Sequence, residues 1–292
     1  MFSIIIINWN SYTETMNCIA SILANRELIT RIIIVDNNSS DDSLKKLKQE
    51  FIYNDLVKII ESKTNTGYCG GNNLGFQYCL NDNSNYLLVL NNDVIITRRT
   101  LSLLKKAFEK DEKLVMVSPM VNGELIENST FLVRINENLN STLASTQDDS
   151  GFVYKYYIPG CAIAFSKNFL KNYGGFNENY FMYVEEIEIA FRARKNGYNV
   201  AQLTSFDSSI LRKKDDIEKL RKRYIWYYQT RNMLYFLDDI YMRNYWKGVF
   251  KKSLYITFSF IRPFTQRNLG NLIAVYKGVG DYLKGVKGKQ VI

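Results

Sequence analysis

The 292-residue chain has no histidine. That removes the commonest general base and the commonest transition-metal ligand. Acid–base chemistry must then fall to carboxylates, lysine, cysteine or tyrosine. Any metal site is oxygen-rich, which favours Mg²⁺ or Mn²⁺ over Zn²⁺. The four cysteines, Cys18, Cys69, Cys79 and Cys161, show no metal or redox spacing. They read as reduced, partly buried thiols of a cytosolic protein. No stretch reaches the roughly 18 apolar residues of a membrane span; the longest late one, Ser253 to Ile261, is half as long. No signal peptide is expected, because Met1-Phe2-Ser3 runs directly into a strand.

What is present is a 46% hydrophobic, 14% aromatic composition, enough for one large or two small domains with a real core. The net charge of +9 is unevenly placed. Residues 212–292 hold 18 Lys and Arg against 6 Asp and Glu, whereas residues 1–211 hold 20 against 23. The basic character belongs to the tail.

Apolar runs alternate with helical patterns through the first third. Residues 2–7, 31–35, 57–60 and 86–90 read as strands, and 12–24 and 43–51 as helices, the second capped by Asp41. Asn65-Thr66-Gly67-Tyr68-Cys69-Gly70-Gly71-Asn72-Asn73-Leu74-Gly75 reads as a glycine-rich loop opening a further helix. This alternation implies an α/β fold with a doubly wound, mainly parallel sheet. Asn8-Trp9-Asn10, Asp36 to Asp41 and Asn91-Asn92-Asp93 each follow a strand, so right-handed crossovers bring all three to one sheet edge. Asp93, leaving a strand buried on both faces, is placed to hold a divalent cation and through it a diphosphate. The tripeptide also suits a simple turn.

From 122 to 155 the chain is polar and weakly periodic and reads as a mobile loop region. Order returns at Tyr156 to Phe165. Phe181 to Arg194 then ends in a helical pattern that places Ile187, Ala190 and Phe191 on one face. Glu185, Glu186 and Glu188 crowd its start. A helix dipole favours carboxylates there, and clustered carboxylates also raise one another's pKa, as catalytic groups require.

Taken in order, Ile-Ile-Asn-Trp-Asn, Asp36-Asn-Asn-Ser-Ser-Asp, Asn65-x-Gly…Asn73-x-Gly, Asn91-Asn-Asp93, Gly-Gly-Phe-x-Glu…Tyr-x-Glu-Glu-x-Glu…Arg and Tyr227-Tyr228-x-x-Arg231-Asn232 resemble the family 2 glycosyltransferases of the GT-A fold. Bacterial rhamnosyltransferase-like members that build surface polysaccharides are the nearer likeness. The resemblance implies a Rossmann-like nucleotide-sugar-binding half over 1–121, an acceptor-binding catalytic half over 122–211, and a helical basic extension over 212–292. It implies that Trp9, with Asn8 and Asn10, lies beside the donor base, and that Asp36 hydrogen-bonds the pyrimidine ring. Asn73 falls in the loop near the ribose and sugar, and Asn65 is a further donor-binding residue. Asp93, with Asn92 beside it, binds Mn²⁺ or Mg²⁺. Glu186 is the catalytic base, and Glu185, Glu188 and Arg192 occupy acceptor-side or structural positions. The implied reaction is an inverting, metal-dependent transfer from dTDP-rhamnose or a UDP-hexose to a glycan or lipid-linked glycan.

The sequence departs from the family at four places, one being Glu188, where Asp is also frequent. Glu186 stands where Asp is usual, and Asn177 replaces a frequent Asp. No histidine occupies 205–211, where members often carry a second metal contact. Asp207 is an oxygen ligand available to substitute.

The tail interleaves basic and aromatic residues, as in Arg221-Lys222-Arg223-Tyr224-Ile225-Trp226 and Tyr245-Trp246-Lys247. That suits an anionic membrane surface, placing the enzyme peripherally at the inner face of the cell membrane; it equally suits solvated helices packed on the catalytic domain. No motif for nucleic acid accompanies it. A homodimer is compatible with the chain. A non-catalytic scaffold of a polysaccharide assembly complex and a nucleotide-sugar nucleotidyltransferase are the competing functions. The latter generally shows a basic glycine-rich phosphate loop that Asn8-Trp9-Asn10 does not provide.

Overall fold

The structure is a computed structural model that describes residues 1–126, 151–212, 218–265 and 269–290, without the side chains of 218–222, 262–265 and 269. Most of the polar stretch read as a mobile loop, 127–150, lies outside the described residues, as do the side chains of Arg221 and Lys222. The elements are β1 (Phe2–Asn8), α1 (Tyr12–Leu23), β2 (Ile29–Asp36), α2 (Ser43–Glu50), β3 (Val57–Glu61), α3 (Gly67–Cys79), β4 (Tyr86–Asn91), β5 (Val94–Ile95), α4 (Thr100–Lys110), β6 (Leu114–Ser118), β7 (Phe152–Tyr154), β8 (Ala162–Ser166), α5 (Lys167–Tyr173), α6 (Glu185–Lys195), β9 (Asn199–Leu203), β10 (Leu211–Arg212), α7 (Glu218–Tyr241), α8 (Tyr245–Thr265) and α9 (Leu269–Leu283).

Eight strands form one sheet in the order β3-β2-β1-β4-β8-β6-β9-β7, and β10 pairs with β5 in a separate ribbon. β1, β2, β3 and β4 run parallel, while β8 lies antiparallel between β4 and β6. This is the mixed, doubly wound α/β sheet expected from the sequence. β8 inserts ahead of β6, so the sheet runs continuously across residue 121.

Alternation along β1 sends Ile4 and Ile6 to one face and Ile5 to the other. Ile4 and Ile6 join Ile32, Ile34, Leu88 and Leu90 beneath α1, α2 and α4. Ile5 joins Ile33, Val35, Leu87 and Val89 beneath α3, α5, α6 and the C-terminal half of α7. The aliphatic runs are therefore buried on both sides, as parallel strands require.

Two elements differ from the sequence reading. The glycine-rich segment is helical from Gly67 onward. Its glycines serve contact more than looping: a Cβ on Gly75 would overlap Ile5 Cγ2, so the missing side chain lets α3 lie directly on β1. The polar stretch after residue 122 also contributes a strand, β7, which pairs antiparallel with β9 at the sheet edge. Edge pairing needs little apolar periodicity, so the pattern did not reveal it.

The tail forms three helices. α7 packs through Met233, Phe236, Leu237 and Tyr241 into the core under the sheet, and α8 and α9 pack with it.

Candidate active site

The sheet register sets the first part of the site. Asn8 lies opposite Asp36, and Ile7 opposite Asn91, so the C-terminal ends of β1, β2 and β4 adjoin. Asn8 is fully buried and uses its whole amide. Its Nδ2 donates to Asp36 Oδ2 at 2.8 Å, Ser39 Oγ at 3.1 Å and Ser43 Oγ at 3.0 Å, while its Oδ1 accepts from Thr15 Oγ1 at 2.8 Å. Asp36, also buried, further accepts from Ser39 N at 3.0 Å and Ser39 Oγ at 2.6 Å. Asn10, at φ +51°, accepts from the backbone N–H groups of Ser40 and Asp41. Asp41 in turn accepts from Ser43 N at 3.1 Å, at the start of α2. Trp9 stands out from this lattice, 54% exposed.

Asn37, absent from the residues singled out in the sequence, joins this lattice to α3. Its buried amide donates to Gly67 O at 3.0 Å and accepts from Thr66 N at 3.0 Å; it also donates to Asn65 Oδ1 at 3.3 Å. Asn65 accepts from Gly67 N at 2.9 Å. Asn73 lies six residues into α3 and faces another way. It donates to Phe176 O and Glu178 Oε1, both at 2.8 Å, and accepts from Phe176 N, fastening the Gly-Gly-Phe loop.

Asp93 sits between β4 and β5. β5 pairs with β10, with Val94 opposite Arg212. That pairing brings Arg212 Nε to 3.0 Å from Asp93 Oδ2. Asp93 Oδ1 is buried without a hydrogen-bond partner. Asn92 turns aside and donates to Thr15 Oγ1 at 3.1 Å. Asp207 is not drawn to Asp93; its carboxylate pairs with Arg99 at 2.6 Å on the surface.

A carboxylate oxygen that is buried and unpaired is costly unless something positive meets it. The free Oδ1 of Asp93 thus fits one ligand position of a hard cation. Among the described residues no group of three or more Cys, Asp or Glu is gathered to complete a cage. A cation here would take its other ligands from a bound molecule, as Mg²⁺ and Mn²⁺ do with phosphates.

The acidic segment forms the other part. Phe181, Tyr183 and Val184 have φ of +66°, +66° and +77°. For bulky and β-branched residues this conformation is strained and persists only when the surroundings impose it. The surroundings here are two adjacent buried side chains of α7. Asn232 Nδ2 donates to the carbonyls of Tyr180, Met182 and Tyr183 at 3.0, 2.8 and 2.9 Å. Arg231 donates to Tyr180 O at 3.1 Å and Gly288 O at 2.9 Å, and both its Nε and Nη2 hold Asn232 Oδ1. From α3, Cys69 N donates to Phe181 O at 3.1 Å. Gly67, at φ +73°, leaves the space that Phe181 fills. Arg231-Asn232 belonged to the sequence pattern without a role. Gln229 to Asn232 form a polar run between Tyr227-Tyr228 and Met233-Leu234, so nothing local in the sequence marked this pair as buried.

This turn presents the three glutamates differently. Glu185 is buried, Oε2 has no partner, and burial followed by the neighbouring Glu186 pushes its carboxyl well above the usual range. Glu186 is half-buried, and burial pushes it up to about 7 against the pull of the Val184 and Glu186 backbone. Glu188 is raised by burial, but Arg192 opposes this at 2.9 Å. Arg192 also donates to the carbonyls of Tyr173 and Gly175, so this pair ties α6 to the loop after α5.

Cys161, immediately before β8, links the two parts. Burial raises its thiol to about 11; Arg212 pulls it down, while Asp93 and Glu186 push it up. The Asp93–Arg212 pair and the raised carboxyl of Glu186 therefore face the same strand end. All four cysteines are free and buried, in keeping with reduced thiols.

A sequence profile described as Glycosyl transferase family 2 matches residues 3–174, more than half of the chain. The protein belongs to that family, and it is a glycosyltransferase of the GT-A fold. Among curated proteins it is similar to the low-salt glycan biosynthesis hexosyltransferase Agl10 of Haloferax volcanii, 27% identical over 246 residues, covering 83% of this chain and 77% of Agl10. Among solved structures, S. aureus TarS 1–349 in complex with UDP-GlcNAc superposes with a TM-score of 0.61 at 14% identity, over 98% of this chain and 81% of that one. GalNAc-T7 with UDP, GalNAc and Mn²⁺ gives 0.59 at 15% identity over 73% of this chain, which spans only 43% of that protein. At these identities the superpositions establish the shared fold.

Proposed function

We propose that this chain transfers a sugar, with inversion, from a nucleoside-diphosphate donor (a UDP-hexose or dTDP-rhamnose) to a hydroxyl of a growing surface polysaccharide or lipid-linked glycan. The observation that carries this reading is the placement of Glu186. A half-buried carboxyl at about 7 lies across one strand end from an acid–arginine pair, at the edge where doubly wound sheets bind nucleotides. The complexes of TarS with UDP-GlcNAc and of GalNAc-T7 with UDP support a nucleotide-sugar donor.

In this reading Trp9 stacks on the base and Asp36, fixed by Asn8 and Ser39, reads its edge. Asn10, Asn65 and Asn37 hold the surrounding loops in shape. Glu186 removes the proton of the acceptor hydroxyl as that oxygen attacks the anomeric carbon. Glu185, kept neutral by burial, and the Glu188–Arg192 clamp shape the acceptor side. Arg212 offers its guanidinium to the diphosphate leaving group. Asp93, through Oδ1, is the residue that would hold Mn²⁺ or Mg²⁺, which when bound supplies further positive charge at the diphosphate. The acceptor chemistry suits a peripheral enzyme at the inner face of a membrane.

The test is transfer from radiolabelled UDP- and dTDP-sugars, with thermal stabilisation by UDP, dTDP, GDP and CMP measured with and without Mn²⁺. Stabilisation by a uridine or thymidine diphosphate, lost in Trp9→Ala, supports the reading; no nucleotide binding at any metal concentration removes it. One observation favours a second reading, the non-catalytic scaffold: Asp93 is already paired with Arg212. That reading expects nucleotide binding without turnover.

A further inference from the structure

α8 is built with its apolar side outward. Trp246, Phe250, Leu254, Phe258 and Ile261 recur every three or four residues and are each 49–78% exposed. The inward side is mixed: Tyr255 packs against the core under the sheet and Val249, Ile256 and Phe260 are half-buried, beside polar and small residues. Lys252 donates to Asp238 at 2.5 Å and to Tyr282 at 2.9 Å, Tyr255 donates to Gln229 O at 3.2 Å, and Gly248 abuts Tyr241. A helix packed on a protein surface normally turns its largest apolar residues inward and leaves polar ones outside. The row runs about 22 Å along the helix at 1.5 Å per residue. Unlike scattered apolar residues, a contiguous exposed row marks a contact surface.

Chemistry selects the occupant. At the start of the row Arg243, Tyr245, Trp246 and Lys247 are all exposed. Cations beside amphipathic aromatics suit the headgroup layer, where the rings sit at the boundary and the cations meet anionic phosphates. The sequence of α8 holds Lys247, Lys251, Lys252 and Arg262 and no acid. Such a surface repels a second copy of itself and attracts an anionic leaflet. Among the described residues no helix is long and apolar enough to cross a membrane, so the fitting geometry is a helix lying in the plane of the interface.

We propose that the outward face of α8 is a docking surface for membranes containing anionic lipid, with Trp246, Phe250, Leu254, Phe258 and Ile261 inserted and Arg243 and Lys247 at the headgroups. This deepens the peripheral reading of the proposed function, naming the surface that would hold the enzyme beside a lipid-linked acceptor.

The test is co-flotation of the full chain with phosphatidylcholine vesicles, with and without about 30 mol% phosphatidylglycerol. Binding is expected only with the anionic lipid, to weaken in ~0.5 M NaCl, and to fall about tenfold or more in Phe250→Ser/Phe258→Ser. Both changes are at exposed positions, and unchanged thermal stabilisation by nucleotide reports the fold. Independently, the vesicle-induced blue shift of tryptophan fluorescence should be largely lost in Trp246→Phe. Absence of flotation at every salt concentration overturns the proposal, as does wild-type flotation by the double variant. A dimer that the double variant dissociates, with no vesicle binding, assigns the face to a second copy and likewise overturns it. Nucleotide binding is measured in the same samples, so failure of the docking surface is distinguishable from failure of the glycosyltransferase reading.

Discussion

Arg212 donates from Nε to Asp93 Oδ2 across 3.0 Å, and the other carboxylate oxygen of Asp93 is left buried and unpaired. One half of the acid is held by a fixed cation and the other half is open. A guanidinium in this position competes with a divalent ion for the same carboxylate, and it is also a ready partner for phosphate oxygens.

Replacing Arg212 by Gln separates those roles. Nucleoside-diphosphate affinity measured calorimetrically in EDTA is expected to fall about 10- to 100-fold, the size of a lost charge-assisted hydrogen bond. Apparent Mn²⁺ affinity in the presence of nucleotide is expected to rise, because the competing charge has gone. Equal affinities in both proteins would show that Arg212 only neutralises Asp93.

Glu186→Gln should lower kcat by about 10²- to 10⁴-fold with donor affinity unchanged, the range for loss of a general base. The pH profile of kcat/KM in the wild type should rise through about 7, where the base ionises. Stability follows a definite sign. The folded carboxyl titrates at about 7 and the unfolded one near 4.5, so between these values the unfolded chain releases its proton first. The Glu186 contribution to stability therefore falls as pH rises through that window and is level above it. Glu186→Gln should be stabilising by about 1–3 kcal/mol at pH 8 and nearly neutral at pH 4 in urea titrations. A gain in stability over wild type that is no larger at pH 8 than at pH 4 contradicts the assignment.

Asn232→Ala removes the donor that holds three carbonyls of the strained turn. The expected loss is about 2–5 kcal/mol in urea denaturation, from the unmet buried carbonyls and from the Arg231 donors that lose Asn232 Oδ1, with any relaxation of the strained turn offsetting part of it. If the role is to position Glu186, kcat falls more than donor binding at temperatures where the variant is folded. A proportional loss of both points to global weakening alone.

Trp9→Ala is expected to weaken nucleotide binding about 5- to 100-fold while Trp9→Phe keeps most of it, since base–aromatic stacking contributes about 1–3 kcal/mol. With Trp9 54% exposed, neither change should move the melting temperature appreciably. Unchanged affinity in the Ala variant removes Trp9 from the donor site.

The sheet and its edge were legible because strand period, strand order and carboxyl-end polarity are local or nearly local properties. Runs such as Ile4-Ile5-Ile6 and Leu87-Leu88-Val89-Leu90 have few other readings. The Glu185–Glu186 cluster was visible for the same reason. What stayed hidden depends on distant pairings. Nothing near Arg212 in the chain announces that β10 will lie on β5 and turn it onto Asp93. The Asn232 grip spans some fifty residues to a turn whose positive φ values no residue there advertises. Asn73 matched a motif, yet the direction of its side chain is set by the Gly-Gly-Phe loop that folds back on it. The outward row on α8 was read only as part of a basic, aromatic tail. Which side of a helix faces solvent follows from what packs behind it.

α7 carries the grip of Arg231 and Asn232 at its middle and the seat for α8 along its length. A fragment ending after β10 would retain every strand and still lose the clamp on the turn that presents Glu186. The tail is thus a keel as well as a handle. With the docking surface proposed above, residues on the outer side of α8 can be exchanged without touching the clamp while those of α7 cannot, and a transplanted catalytic domain should be cut after Gly288 rather than before α7.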